Sequence, residues 1–169
     1  MEIAETIISQ YGAALRMLRS AIEACPDELW ESDSYENRFW HIAYHVLFYT
    51  HLYLSASESA FVPWEKSKPW YQFMGPLPWP PHDKPKIGEP YTRSAILEYW
   101  EWLGERVPTH VREVPFDDPS GFPWLPFKRF ELHLYNIRHI QHHAGQLIER
   151  LRGEGMTDFG WVRTGEEDP

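Results

Sequence analysis

The chain is poor in cysteine and in positive charge, and it has no long apolar run. Of its 169 residues only Cys25 carries a thiol, so an internal disulfide is excluded and a reducing, cytoplasmic setting is the expectation. Lys and Arg number 16 against 25 Asp and Glu, a formal net charge of −9. No basic stripe interrupts this acidic balance. That argues against nucleic acid or an anionic membrane as a partner, because phosphate binding needs clustered cations. No stretch reaches the roughly 18 uninterrupted apolar residues that would span a bilayer. The run Met1-Glu2-Ile3-Ala4-Glu5 lacks a basic region and a long apolar core, so it does not read as a secretory signal. Strand-like alternation, internal repeats and low-complexity tracts are also missing, which leaves helix as the expected regular element.

What the chain does have is rings. It holds nine Trp, nine Tyr, nine Phe and nine His, together with 15 Pro. Aromatic side chains bury large areas, so an aromatic core or pocket wall is expected. A length of 169 residues suits one domain, taken here as 1–169.

Four helical segments emerge from the periodicity. The first runs from Ile3 to Cys25, with Ile7, Ile8, Tyr11, Leu15, Leu18 and Ile22 at three- and four-residue steps, and Pro26 stops it. In the linker Pro26 to Asn37, Asp33 and Ser34 are candidate caps. The second segment, Asn37 to Ala56, is apolar almost all round and should be buried on most sides. A Pro- and Trp-rich connection, Phe61 to Tyr91, comes next. Such a length without regular structure is expected to pack down as a lid or pocket wall through Trp64, Trp70, Tyr71, Phe73 and Trp79. Thr92 reads as the cap of a third helix, Arg93 to Val114, kinked at Pro108. A Pro/Gly linker from Pro115 to Pro126 leads to the fourth, Phe127 to Arg152, ended by Gly153. Four helices with connections of unequal length read as an all-α four-helix bundle.

The histidines fall into pairs. His139 and His143 are four residues apart, just over one turn, and at about 100° per residue they share one margin of the fourth segment's apolar stripe. Asn136 lies beside them, while His142 falls on the polar side with Arg138, Gly145 and Glu149. His133 also points inward but lies too far along the helix for the same ion. In the second segment His41 and His45 repeat the four-residue spacing, and His51 projects elsewhere. A third ligand for an ion held by His139 and His143 is expected from this helix. His45 is the better candidate because it lies deeper in the segment and should be more buried. A cluster of uncharged imidazoles in a core has little reason to exist without a proton or a metal to share. Other features read as structural: Phe48, Tyr53, Trp100 and Trp102 as packing, Glu98, Glu101 and the tail Glu166-Glu167-Asp168 as solvated surface, and Cys25 as inert.

The string His139-Ile140-Gln141-His142-His143-Ala144-Gly145-Gln146-Leu147, together with His45 followed by Val46, Tyr49 and Tyr53, resembles the signature of the DinB-like (DinB/YfiT) superfamily. The likeness runs through the whole helix order, including the long connection between the second and third helices. It implies a four-helix bundle holding a divalent metal ion, zinc, nickel, iron or manganese, on His45, His139 and His143, with His41 as the rival ligand. It also implies a small-molecule substrate. Relatives with known activity are mostly S-transferases or isomerases that use a low-molecular-weight thiol, so a metal-dependent thiol transferase or a hydrolase is expected. The alternative is a non-catalytic metal-binding or stress-response protein. A homodimer is a further expectation. Tyr49, Asn136 and Gln146 are candidate partners for the second nitrogens of the ligating imidazoles. No catalytic acid or base stands out.

Overall fold

A computed structural model describes residues 2–165, and these contain six helices and no β-strand. The acidic tail read as solvated surface, Glu166 to Asp168, lies outside the described residues. The first helix, α1 (Ile3–Ala24), buries Ile7, Tyr11, Leu15, Leu18 and Ile22 along one face. It ends because Cys25, which precedes Pro26, takes an extended conformation (ψ 123°).

The expected linker contains an element that periodicity could not reveal. α2 (Asp27–Trp30) is a single turn led by Asp27 and Glu28, with Leu29 and Trp30 buried. The Trp30 indole donates to the Tyr91 carbonyl at 2.9 Å. Asp33 and Ser34 do not cap the next helix. α3 (Phe39–Leu54) starts after Arg38 with no side-chain cap, and Ser34 instead accepts from the Ser32 hydroxyl at 3.0 Å. α3 is buried along its whole length except at His45 and Tyr49, as its continuous apolar perimeter requires.

The expected third helix is two helices. α4 (Arg93–Gly104) is capped by Thr92, whose hydroxyl accepts from the Ala95 N–H at 3.2 Å. α5 (Val107–Glu113) begins after a turn, with Pro108 in its first positions. Continuing α4 through Pro108 would drive the pyrrolidine ring against the Gly104 carbonyl. A fresh start puts the missing N–H where a helix does not use it. α6 (Arg129–Gly153) is closed by Gly155, not by Gly153: Gly155 has φ 86°, and Met156 N–H donates back to the Leu151 carbonyl at 3.1 Å. Beyond it the chain returns along α1, where the Gly165 N–H donates to the Ser9 hydroxyl at 3.1 Å.

α3 is the centre of this arrangement. α6 packs on α1 and α3, while α4 and α5 pack on the same two helices. The loop before α6 is tied to the end of α3 by Arg129, which is fully buried and donates to the carbonyls of Leu54 at 2.6 Å and Ser120 at 3.1 Å. Gly121 in that loop has φ 86°, and a Cβ there would lie 2.2 Å from the Ala56 carbonyl oxygen. The connection 61–91 carries no helix or strand, yet Trp64, Tyr71 and Tyr91 are buried, as the expectation of inward packing required. Trp64 stacks on Tyr99 of α4 at 4.5 Å between ring centres. The Tyr91 hydroxyl bridges the connection by donating to the Lys66 carbonyl at 2.6 Å and accepting from Lys68 N–H at 2.9 Å. Trp70 and Trp79 behave otherwise. They stay 48% and 42% exposed and pack on each other and on Phe73.

Gly121→Ala combines a positive φ with a backbone clash and should destabilise the fold by roughly 2 kcal/mol or more. Urea unfolding reads this directly, and an unchanged midpoint would contradict the close approach of the two loops.

Candidate metal centre

His45 comes from α3, and His139 and His143 come from successive turns of α6. Each offers one ring nitrogen, and these three atoms all lie within 4.8 Å of one another. His45 Nε2 and His139 Nε2 are 3.1 Å apart. Two nitrogens bound to one ion at about 2.1 Å stand roughly 3.0–3.4 Å apart for bond angles near 90–109°, so this pair already has the separation of a shared ion.

Hydrogen bonds fix where the protons sit. A carbonyl only accepts, so the 2.6 Å contact between His45 Nδ1 and the Gln72 carbonyl places the His45 proton on Nδ1 and leaves a lone pair on Nε2. His143 Nδ1 donates to Gln146 Oε1 at 3.0 Å in the same sense. His139 differs: its Nδ1 is buried with no hydrogen-bond partner. Burial pushes the pKa of His45 and of His139 down to about 3. For His45 the Gln72 carbonyl opposes this, and the imidazoles of His139 and His143 add to it. For His139 the neighbouring His143 and His142 add to burial. His143 is lowered as well, chiefly by burial, with the Gln146 hydrogen bond opposing it. All three are therefore neutral near pH 7, the form that donates a lone pair.

His41 is not in this group. Its Nε2 donates to the Tyr71 carbonyl at 2.8 Å, and its ring stacks on Trp40. The burial order expected for the two is reversed, since His41 is only 7% exposed while His45 is less deeply buried. What separates them is place: only His45 brings a nitrogen within 4.8 Å of both α6 imidazoles. Tyr49 touches the site through its ring, centred 4.8 Å from His45 and 6.0 Å from His139, so it is a wall and not a hydrogen-bond partner there. Burial raises its hydroxyl to about 12. Asn136 is also placed differently from the expectation. It is fully buried and donates to the Thr50 carbonyl at 3.1 Å, cross-linking α6 to α3 instead of supporting an imidazole. Sequence reasoning missed Gln72, and it marked Tyr71 only as an aromatic wall. Both act through main-chain carbonyls that every residue carries, so no side-chain signal could have marked them for this role.

The other histidines do other work. His142 is exposed. His133 Nδ1 lies 3.1 Å from the Tyr11 hydroxyl, and His51 Nδ1 lies 3.0 Å from the Tyr99 hydroxyl. Phe48 and Tyr53 are buried, and Trp100 and Trp102 pack against the core half-buried. Glu98 and Glu101 are exposed and pair with Lys66 and Arg19. Cys25 is buried, which raises its thiol to about 12. Among the described residues no helix is long and apolar enough to cross a membrane. Comparisons of the chain with family models, with curated proteins and with solved structures gave no match.

His51 and His133 set an acid limit on stability. Burial lowers both to about 4 from an ordinary 6.5, so below 6.5 the unfolded chain takes up protons that the folded chain refuses. Their contribution is complete above pH 6.5 and is lost as pH falls toward 4, at about 1.4 kcal/mol per pH unit for each. Urea unfolding in the presence of a chelator, stepped from pH 7 to pH 4.5, should show this decline; a flat profile would contradict burial of the neutral rings.

Proposed function

We propose that this chain is a divalent-metal protein of the DinB-like kind. In this reading α1, α3, α4 continued by α5, and α6 form a four-helix bundle around a three-histidine centre. The observation that carries it is the convergence of His45, His139 and His143 within 4.8 Å, with the Nδ1 protons of two of them held away by Gln72 and Gln146. Imidazole donors alone suit zinc, iron or nickel better than manganese, which favours carboxylate oxygen. Three protein ligands leave a coordination position for an incoming group, as catalytic sites do. An ion held there supplies Lewis-acid chemistry, lowering the pKa of a coordinated water or thiol toward neutrality.

The chain's own residues do the rest. Gln72 and Gln146 hold the His45 and His143 rings in register, and the Tyr49 ring screens one side from water. The activity this supports is a metal-dependent thiol S-transferase, or a hydrolase, acting on a small molecule. A thiol would come from outside, because the only cysteine is buried. A non-catalytic metal-binding or stress-response protein is the second reading. The favouring observation is that the group contains no carboxylate, among the described residues, that would serve as a general base.

The untagged chain should carry about one ion per molecule, lose it in His45→Ala and His143→Ala, and keep it in His41→Ala, measured by elemental analysis. Full stoichiometry in His45→Ala would sink the ligand assignment. The two readings separate when glutathione, bacillithiol and mycothiol are each offered with an electrophile. Metal-dependent conjugation with any of them supports the transferase, whereas none with all three supports the binding protein.

A further inference from the structure

The geometry points to a backbone clamp at Tyr71–Gln72 that holds His45 as a lone-pair donor at Nε2 and makes ion binding and docking of the 61–91 connection a single equilibrium. This rests on the three-histidine reading. His41 and His45 stand one turn apart on the same helix and are chemically identical. They meet adjacent carbonyls of one loop and are used in opposite ways. The Tyr71 carbonyl takes the Nε2 proton of His41, whose ring lies outside the three-histidine group. The next carbonyl, Gln72, takes the Nδ1 proton of His45 and leaves Nε2 bare, 3.1 Å from His139 Nε2. Move that loop away and the His45 Nδ1 proton loses its acceptor.

The backbone just before these carbonyls is strained. Trp70 has φ 72°, a left-handed conformation that is strained for a bulky aromatic residue. Turns on both sides maintain it: Tyr71 N–H donates to the Lys68 carbonyl at 3.4 Å, and Phe73 N–H donates to the Trp70 carbonyl at 3.1 Å. Tyr71 anchors the bend by packing on Trp40, Tyr44 and Tyr91 and by donating its hydroxyl to the Glu89 carbonyl at 3.1 Å. The Trp70 indole itself is half exposed, so its packing does not account for the strain. What the conformation achieves is the placement of two successive carbonyls over two imidazoles. By linkage, an ion that binds only the docked form stabilises the docked loop by the same free energy.

Two substitutions remove the same indole and part company at the backbone. Trp70→Gly keeps a positive φ without penalty, while Trp70→Pro forces φ to about −65° and dismantles the bend. Zinc affinity is measured by competition with a chromophoric chelator, with circular dichroism confirming that the helices persist. Trp70→Gly should bind zinc as the wild-type chain does, and Trp70→Pro should bind it about 10- to 100-fold more weakly, the loss typical when support for a ligating imidazole is removed. Equal affinity in the two variants would overturn the clamp. Should Trp70→Pro fail to fold, the wild-type chain decides: zinc should slow chymotrypsin cleavage after Phe73, and an unchanged rate would overturn the clamp. A wild-type chain that binds no zinc takes down the metal reading and the clamp together. Zinc bound equally by all three chains takes down the clamp alone.

Discussion

Everything in this molecule answers to the burial of α3. A helix enclosed along nearly its whole length hides its polar side-chain atoms from water, and an unpaired buried polar group costs about 1–3 kcal/mol. Among the described residues the Trp40 indole N–H of α3 has no partner, but His41, His45, Thr50 and His51 all do. Thr50 donates to its own helix at the Val46 carbonyl, His51 pairs with the Tyr99 hydroxyl of α4, and the first two histidines reach the 61–91 connection. The irregular connection is therefore part of the interior. Its buried aromatics seal α3, and its carbonyls accept from His41 and His45.

α6 shows how one helical row is divided between structure and chemistry. Arg129, His133, Asn136, His139 and His143 succeed one another at three- and four-residue steps, a polar row beside the apolar stripe. The first three are committed to cross-links: Arg129 to the end of α3 and the preceding loop, His133 to Tyr11 of α1, and Asn136 to Thr50 of α3. Only the last two face each other and a third imidazole. The near end of the row joins helices, and the far end gathers lone pairs in one place.

Much of this was legible in the chain, and the limits come from how far each signal reaches. Periodicity is local, so α1, α3 and α6 and the shared margin of His139 and His143 could be read from spacing alone. The one-turn α2 is too short to show a period. Pro108 was visible, but whether a proline kinks a helix or ends it depends on whether the chain gains by turning, which α5 does by burying Val107 and Val111. Gly153 and Gly155 compete to close α6, and the left-handed turn that decides between them is a property of the folded backbone. Asn136 faces inward as its place on the helix requires, yet its partner lies on another helix. His45 comes within 4.8 Å of the α6 pair and His41 does not, a matter of how two helices face each other that spacing within one helix does not carry, and burial, the criterion at hand in the sequence, ranks the two in the opposite order.

Cys25 has one more consequence. Its sulfur sits at the bend between α1 and α2, where burial holds it as the protonated thiol. A protein whose own sulfur is silent gives a clean background. Burial and protonation leave little thiolate to attack alkylating reagents or disulfides, so the chain's own thiol reacts slowly with them. Rapid sulfur chemistry observed with this protein would then report a thiol supplied from solution, so its turnover could be followed by bulk thiol consumption.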